Sequence, residues 1–162
     1  MFKIKLLILF LINFGLISCT QGDFKSNNLK FSLGYIGGEF EGLVLSNYLT
    51  SHLESFEMLD ERSNLEIRAS VSHSVALYVT NIDNTSSRER VKSIINAKVF
   101  NKDMECFEYS FSNDTTQFYI YATNDKFVSN KKALQEIKTT NTEELVKKLV
   151  NSLMYAKFKC DE

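Results

Sequence analysis

The sequence contains no proline and no tryptophan, only two histidines and three cysteines, and no surplus of positive charge. Lys and Asn are frequent instead, a bias attributed to AT-rich coding and not to function. His52 and His73 are too few for an imidazole metal site, and neither has a cysteine or a second histidine at ligand spacing. Both are expected in structural roles. There is no Gly-x-Ser-x-Gly elbow and no His-Glu-x-x-His helix. Asp60-Glu61 and Glu143-Glu144 are neighbours in sequence only. Adjacent positions on a helix face different ways, so neither pair reads as an acid–base dyad. Gly37-Gly38 reads as a loop break, not a phosphate-binding loop. No catalytic residue, cofactor or metal ligand is therefore expected, and an envelope hydrolase is the weakest of the function classes. Nucleic acid is not an expected partner either, since no basic stripe or binding signature occurs.

What is present begins at the N-terminus. Lys3 and Lys5 precede an uncharged stretch over residues 6–18. That stretch is shorter than the roughly 20 residues a membrane-spanning helix needs, so residues 1–18 read as a cleaved signal peptide. Leu16-Ile17-Ser18-Cys19 resembles the lipobox of bacterial lipoproteins. The resemblance implies that Cys19 is acylated with palmitate-type chains and becomes the first residue of the mature protein. Each buried CH₂ of such a chain contributes about 0.8 kcal/mol to anchoring. Thr20, not Asp, follows the cysteine, which by resemblance to lipoprotein sorting rules favours the outer membrane. An ordinary signal peptide with a chance cysteine is the competing reading. Without Lys3 and Lys5 the mature chain keeps 17 of the 19 basic side chains against 20 acidic ones, a formal charge of −3.

Residues 19–28 are polar and read as a lipidated tether. Residues 29–162 read as a single α+β domain. Residues 29–36 alternate as a strand. Leu45, Tyr48, Leu49, His52, Leu53 and Phe56 fall at helical spacing, predicting a helix over 39–55. Leu65, Ile67, Ala69, Val71, Val75, Leu77 and Val79 occupy odd positions between polar even ones, the mark of a long strand with one wet face. Turn chemistry over 81–87 and a second alternating run over 88–100 follow, then a hairpin turn at Asn101-Lys102-Asp103. A third long strand starts at Phe107. Its apolar phase slips between Asn113 and Gln117, which predicts a bulge there. Helical spacing returns from Ala122, with Thr139-Thr140-Asn141 predicting a break and Thr140 with Glu143 a capping box that restarts the helix. The order is β-α-β-β-β-α, an antiparallel sheet with two helices on one face.

The last strand and last helix each span about 53 Å, out and back. Cys106 and Cys160 should therefore meet at one end and form a disulfide. One buried thiol and one loose tail cysteine is the alternative.

The pattern resembles the lipopolysaccharide-assembly lipoproteins, the LptE family, in its alphaproteobacterial form. Three stretches carry the likeness: residues 42–53, residues 77–91 with Arg88-Glu89-Arg90-Val91, and Tyr121-Ala122 followed by residues 131–137. The resemblance implies a non-enzymatic role. Family members plug a large outer-membrane β-barrel translocon (LptD-like), support its assembly and bind lipopolysaccharide. Phosphates of that lipid would need cations, and Arg88, Arg90, Lys92, Lys98 and Lys102 are the candidates. A plain solvated face competes for each of them. The run Phe118-Tyr119-Ile120-Tyr121 is expected as strand core and barrel contact. The rival class is a surface or periplasmic lipoprotein that binds a ligand or host factor.

Overall fold

The computed structural model describes residues 29–38, 40–79, 87–120 and 127–160. The signal peptide, Cys19, the tether and most of the 81–87 turn lie outside the described residues. The elements are β1 (Ser32–Gly37), α1 (Phe40–Ser55), β2 (Leu65–Val79), β3 (Ser87–Asn101), β4 (Cys106–Ile120) and α2 (Phe127–Tyr155). The order β-α-β-β-β-α and the α+β class are thus observed.

The strands lie in one sheet in the order β1-β2-β3-β4. β2, β3 and β4 form an antiparallel meander. β1 instead runs parallel to β2, so the sheet is mixed and not wholly antiparallel. The reason is the α1 crossover, which returns the chain to the end where β1 began; parallel neighbours need such a connection. The turn into α1 is tight. Gly38 sits at φ 108°, and a Cβ on Gly42 would lie 3.0 Å from the Gly37 carbonyl oxygen.

Odd-numbered residues of β2 and β3 face the helices. Ile67, Ala69, Val71, Ile95, Ala97 and Val99 share one core with Leu45, Leu49 and Leu53 of α1 and Leu145, Leu149 and Leu153 of α2. Tyr109 and Phe111 of β4 pack against it. Phe31 and Phe158 close its lower end, near the β3–β4 hairpin, with ring centroids 5.7 Å apart. Tyr109 meets Phe158 at the same distance.

Two expectations are corrected. The phase slip over residues 113–117 is not a bulge: pairing of β4 with β3 is unbroken from Tyr109 to Ile120. The register shift lies at the other end, where Phe100 pairs Phe107 and Val99 pairs Tyr109, leaving Glu108 as the extra residue. The inner row of β4 simply turns polar, as Asn113, Thr115 and Gln117, while Phe118 and Ile120 stay on the outer face. The predicted break at residues 139–141 is absent too, since α2 runs on through them. Asn141 and Thr142 are buried and donate within the fold: Asn141 Nδ2 to Ser93 Oγ (2.9 Å), and Thr142 Oγ1 to the Lys138 carbonyl one turn back (2.9 Å). In place of a capping box, Glu143 and Glu144 pair with Lys147 and Lys148.

Candidate functional site

The outer sheet face carries the candidate. Even-numbered β3 residues point away from the helices, so Arg88, Arg90, Lys92 and Lys98 stand in one row. Successive members of such a row are about 7 Å apart. The register sets Arg88 beside Ile120, Arg90 beside Phe118 and Lys92 beside Thr116. Phe118 is 55% exposed and Ile120 69%. The upper end, near the β2–β3 turn, is therefore cationic and apolar at once. Among the described residues, Arg88 and Arg90 form no salt bridge, whereas Lys92 Nζ lies 3.3 Å from Asp114 Oδ2.

Lower on the face the character changes. Ser70, Ser72, Asn96, Ser110 and Ser112 form a polar middle, with Ser112 Oγ donating to Asn96 Oδ1 (2.9 Å). Below it, Lys98 Nζ sits 5.1 Å from the centre of the Phe107 ring, and the Arg68 guanidinium 4.3 Å from that of Phe100. Arg68 Nε also donates to Glu66 Oε1 at 2.6 Å. That bond, then Lys102, holds the Glu66 carboxyl below its ordinary pKa. Lys102 does not join the row. From the hairpin its ammonium reaches β1 and the start of β2, at 3.0 Å from Ser32 Oγ, 3.2 Å from the Ser63 carbonyl and 3.6 Å from Glu66 Oε2. It is committed internally.

Cys106 and Cys160 are joined in a disulfide with Cα atoms 5.8 Å apart. Lys159 N–H donates to the Glu108 carbonyl, so the C-terminal segment lies along the lower edge of β4. Glu108 brings a carboxylate within 4.8 Å of both sulfurs. Bonded to each other, those sulfurs are not thiolates and offer no metal ligand.

A second polar group was missed in the sequence. His73 Nδ1 is hydrogen-bonded to Ser93 Oγ (2.7 Å), which also accepts from Asn141 Nδ2. Among the described residues, Asn141 Oδ1 is buried without a partner. Lys138 Nζ, 3.4 Å from Glu41 Oε1, ties α2 to α1 above this cluster. Burial lowers the His73 pKa, Lys138 lowers it further, and Glu41 opposes them. The Glu41 carboxyl is held low first by a backbone N–H at the helix start and then by Lys138. Ser93 beside His73 has the residue types of a nucleophile and its base, but Ser93 is fully buried and cannot meet a substrate. A signal did exist: His73 interrupts the apolar row of β2, Ser93 that of β3, and Asn141 the stripe of α2, all at one level.

No protein-family model matches the sequence, and no curated protein matches it significantly. Solved structures do share the fold. Rare lipoprotein B from Shewanella oneidensis superposes with a TM-score of 0.58 at 11% identity, covering 77% of this chain and 92% of its own. A minor lipoprotein from Acinetobacter baumannii gives 0.55 at 11% identity, over 82% and 97%. A lipoprotein from Caulobacter crescentus gives 0.53 at 13% identity, over 76% and 87%. The domain thus has a fold found in bacterial lipoproteins.

Proposed function

We propose that this chain is a lipid-anchored outer-membrane lipoprotein, acylated at Cys19. Its domain plugs and supports a lipopolysaccharide-export β-barrel and binds lipopolysaccharide, without enzymatic activity. The observation that carries this reading is the upper outer face. An anionic amphiphile presents phosphates and acyl chains side by side. Arg88 and Arg90 next to exposed Phe118 and Ile120 complement both parts. The polar middle of the same face suits a polar barrel lumen. The lipobox-like Cys19 and the fold shared with lipoproteins support the anchoring.

The test is an affinity pull-down of the tagged protein from its own outer membranes in mild detergent, with mass spectrometry of co-purifying bands. A stoichiometric large β-barrel is the expected result. A lone protein that crosslinks to no barrel would overturn the reading and leave the lipidated ligand-binding module. For the lipid, Arg88→Ser with Arg90→Ser should weaken lipopolysaccharide binding by roughly tenfold, the loss of one net charged hydrogen bond or more. Lys102→Ser should leave it unchanged.

A further inference from the structure

The β3–β4 hairpin and the C-terminal segment bring four metal-binding groups together at the lower end of the domain. Met104 lies in the hairpin turn, Cys106 begins β4, Glu108 is the extra residue of the register shift, and Cys160 arrives from beyond α2. Met104 Sδ is 3.6 Å from Cys160 Sγ. Glu108 has a carboxylate oxygen within 4.8 Å of both cysteine sulfurs. Its Oε1 accepts from Asn101 Nδ2 at 2.6 Å, which anchors the carboxylate beside the sulfurs. Met104 is 67% exposed and both cysteines are half-buried, so an ion can enter from solvent.

Joined to each other, the two cysteine sulfurs are closed to metals. A dithiol opens the bridge by exchange. It gives up two electrons and two protons and becomes a disulfide itself, and Cys106 and Cys160 become thiols. The fold keeps them together afterwards. Phe158 packs against Phe31 and Tyr109, and Lys159 N–H donates to the Glu108 carbonyl, and none of these contacts uses the bridge. We infer that the opened pair, with Met104, is a site for a soft monovalent ion, Cu(I), and that the disulfide is its closed form. Two sulfurs on one ion, at metal–sulfur bonds of about 2.3 Å, stand no more than about 4.6 Å apart, a limit Met104 and Cys160 already meet. The thiolate is the ligand, so binding releases both thiol protons. The donors choose the ion. Zn2+ takes thiolate, imidazole and carboxylate, so Cys106, Cys160 and Glu108 without Met104 would suit it. A thioether as third sulfur favours Cu(I). The site lies at the end opposite Arg88 and Arg90, and the inference does not depend on the lipopolysaccharide reading.

The probe is Cu(I) alone, titrated without oxygen into the full-length protein in mild detergent, against a chromophoric Cu(I) chelator. The oxidised protein should take up none. Protein reduced with a dithiol, then freed of it, should take up one equivalent and gain the ultraviolet absorbance of a copper–thiolate bond, with far-UV circular dichroism unchanged. Met104→Leu keeps the side chain's size and removes its sulfur. It should weaken the affinity by roughly tenfold or more, since loss of even an outer partner of a metal site does so. Glu108→Gln should weaken it less. A reduced protein that takes up no copper, or that loses its circular dichroism on reduction, overturns the inference. So does an affinity that Met104→Leu leaves unchanged. A larger loss from Glu108→Gln than from Met104→Leu, or a preference for Zn2+ over Cu(I), overturns it as well, because the carboxylate and not the thioether would then be the third ligand.

Discussion

The two halves of the inner sheet face are built from the same strands and do opposite things. Below, Ile67, Ala69, Val71, Ile95, Ala97 and Val99 meet the leucines of α1 and α2 in a dry core. Above, His73, Ser93, Asn113, Thr115 and Gln117 interrupt the rows beside buried Val91 and face Lys138, Asn141 and Thr142. The lower half is closed by a disulfide and by Phe158; in the upper half, among the described residues, the Asn141 amide oxygen has no partner. Burial of hydrocarbon supplies stability, so the lower half holds the domain together. A buried hydrogen bond contributes only about 0.5–1.5 kcal/mol net and an unpaired buried polar atom costs about as much or more, so the upper half fixes how α2 sits on the sheet at little net gain.

The contrast can be broken by mutation. Leu149→Ala, in the lower core, should cost about 2–5 kcal/mol in denaturant unfolding, because a leucine-sized hole opens among rigid neighbours. A loss below 1 kcal/mol would mean the core repacks and the lower half is not the anchor. Replacing Cys106 and Cys160 together by Ser should cost about 2–4 kcal/mol, since the bridge closes a loop of sequence separation 54. Addition of a dithiol reductant should shift the wild-type unfolding midpoint by the same amount and leave the double variant unmoved.

The upper half should respond to pH. His73 titrates below its ordinary value of 6.5 in the folded protein, through burial first and Lys138 second. The unfolded chain then takes up the proton before the folded one. The stability from the neutral imidazole is complete above 6.5 and is lost as pH falls below it. Thermal melts at about pH 7.5 and about pH 5.5 should show a larger drop for wild type than for His73→Gln. Equal drops would mean His73 does not sense the change. The smallest effect belongs to Asn141→Ala, at under about 1 kcal/mol. It loses the bond to Ser93 but also removes the orphaned oxygen, and alanine is the better helix former. A loss near that of Leu149→Ala would erase the contrast between the halves.

Much of this was legible in residue spacing. The odd-numbered apolar rows of β2 and β3 can be satisfied only by a sheet with one buried face, and the stripe from Leu145 to Leu153 only by a helix lying on it. The lengths of β4 and α2 put the two cysteines at one end. What spacing could not show was the meaning of its own interruptions. Asn113, Thr115 and Gln117 read as a phase slip, and Thr139 to Asn141 as a helix break, because alternation and propensity treat a polar residue as a surface residue. Only the packed molecule supplies the partners: Ser93 beneath Asn141, and Glu144 Oε2 at 3.2 Å from Thr115 Oγ1. The same holds for the cations. Sequence put Lys102 with Arg88 and Arg90, but the register of β3 against β4 decided which lie beside Phe118 and Ile120, while Ser32, Ser63 and Glu66 hold the Lys102 ammonium elsewhere. Local periodicity thus determined the elements and their faces, since it depends only on backbone geometry. Strand direction, register and the pairing of buried polar groups were decided by contacts between residues distant along the chain, where no local pattern reaches.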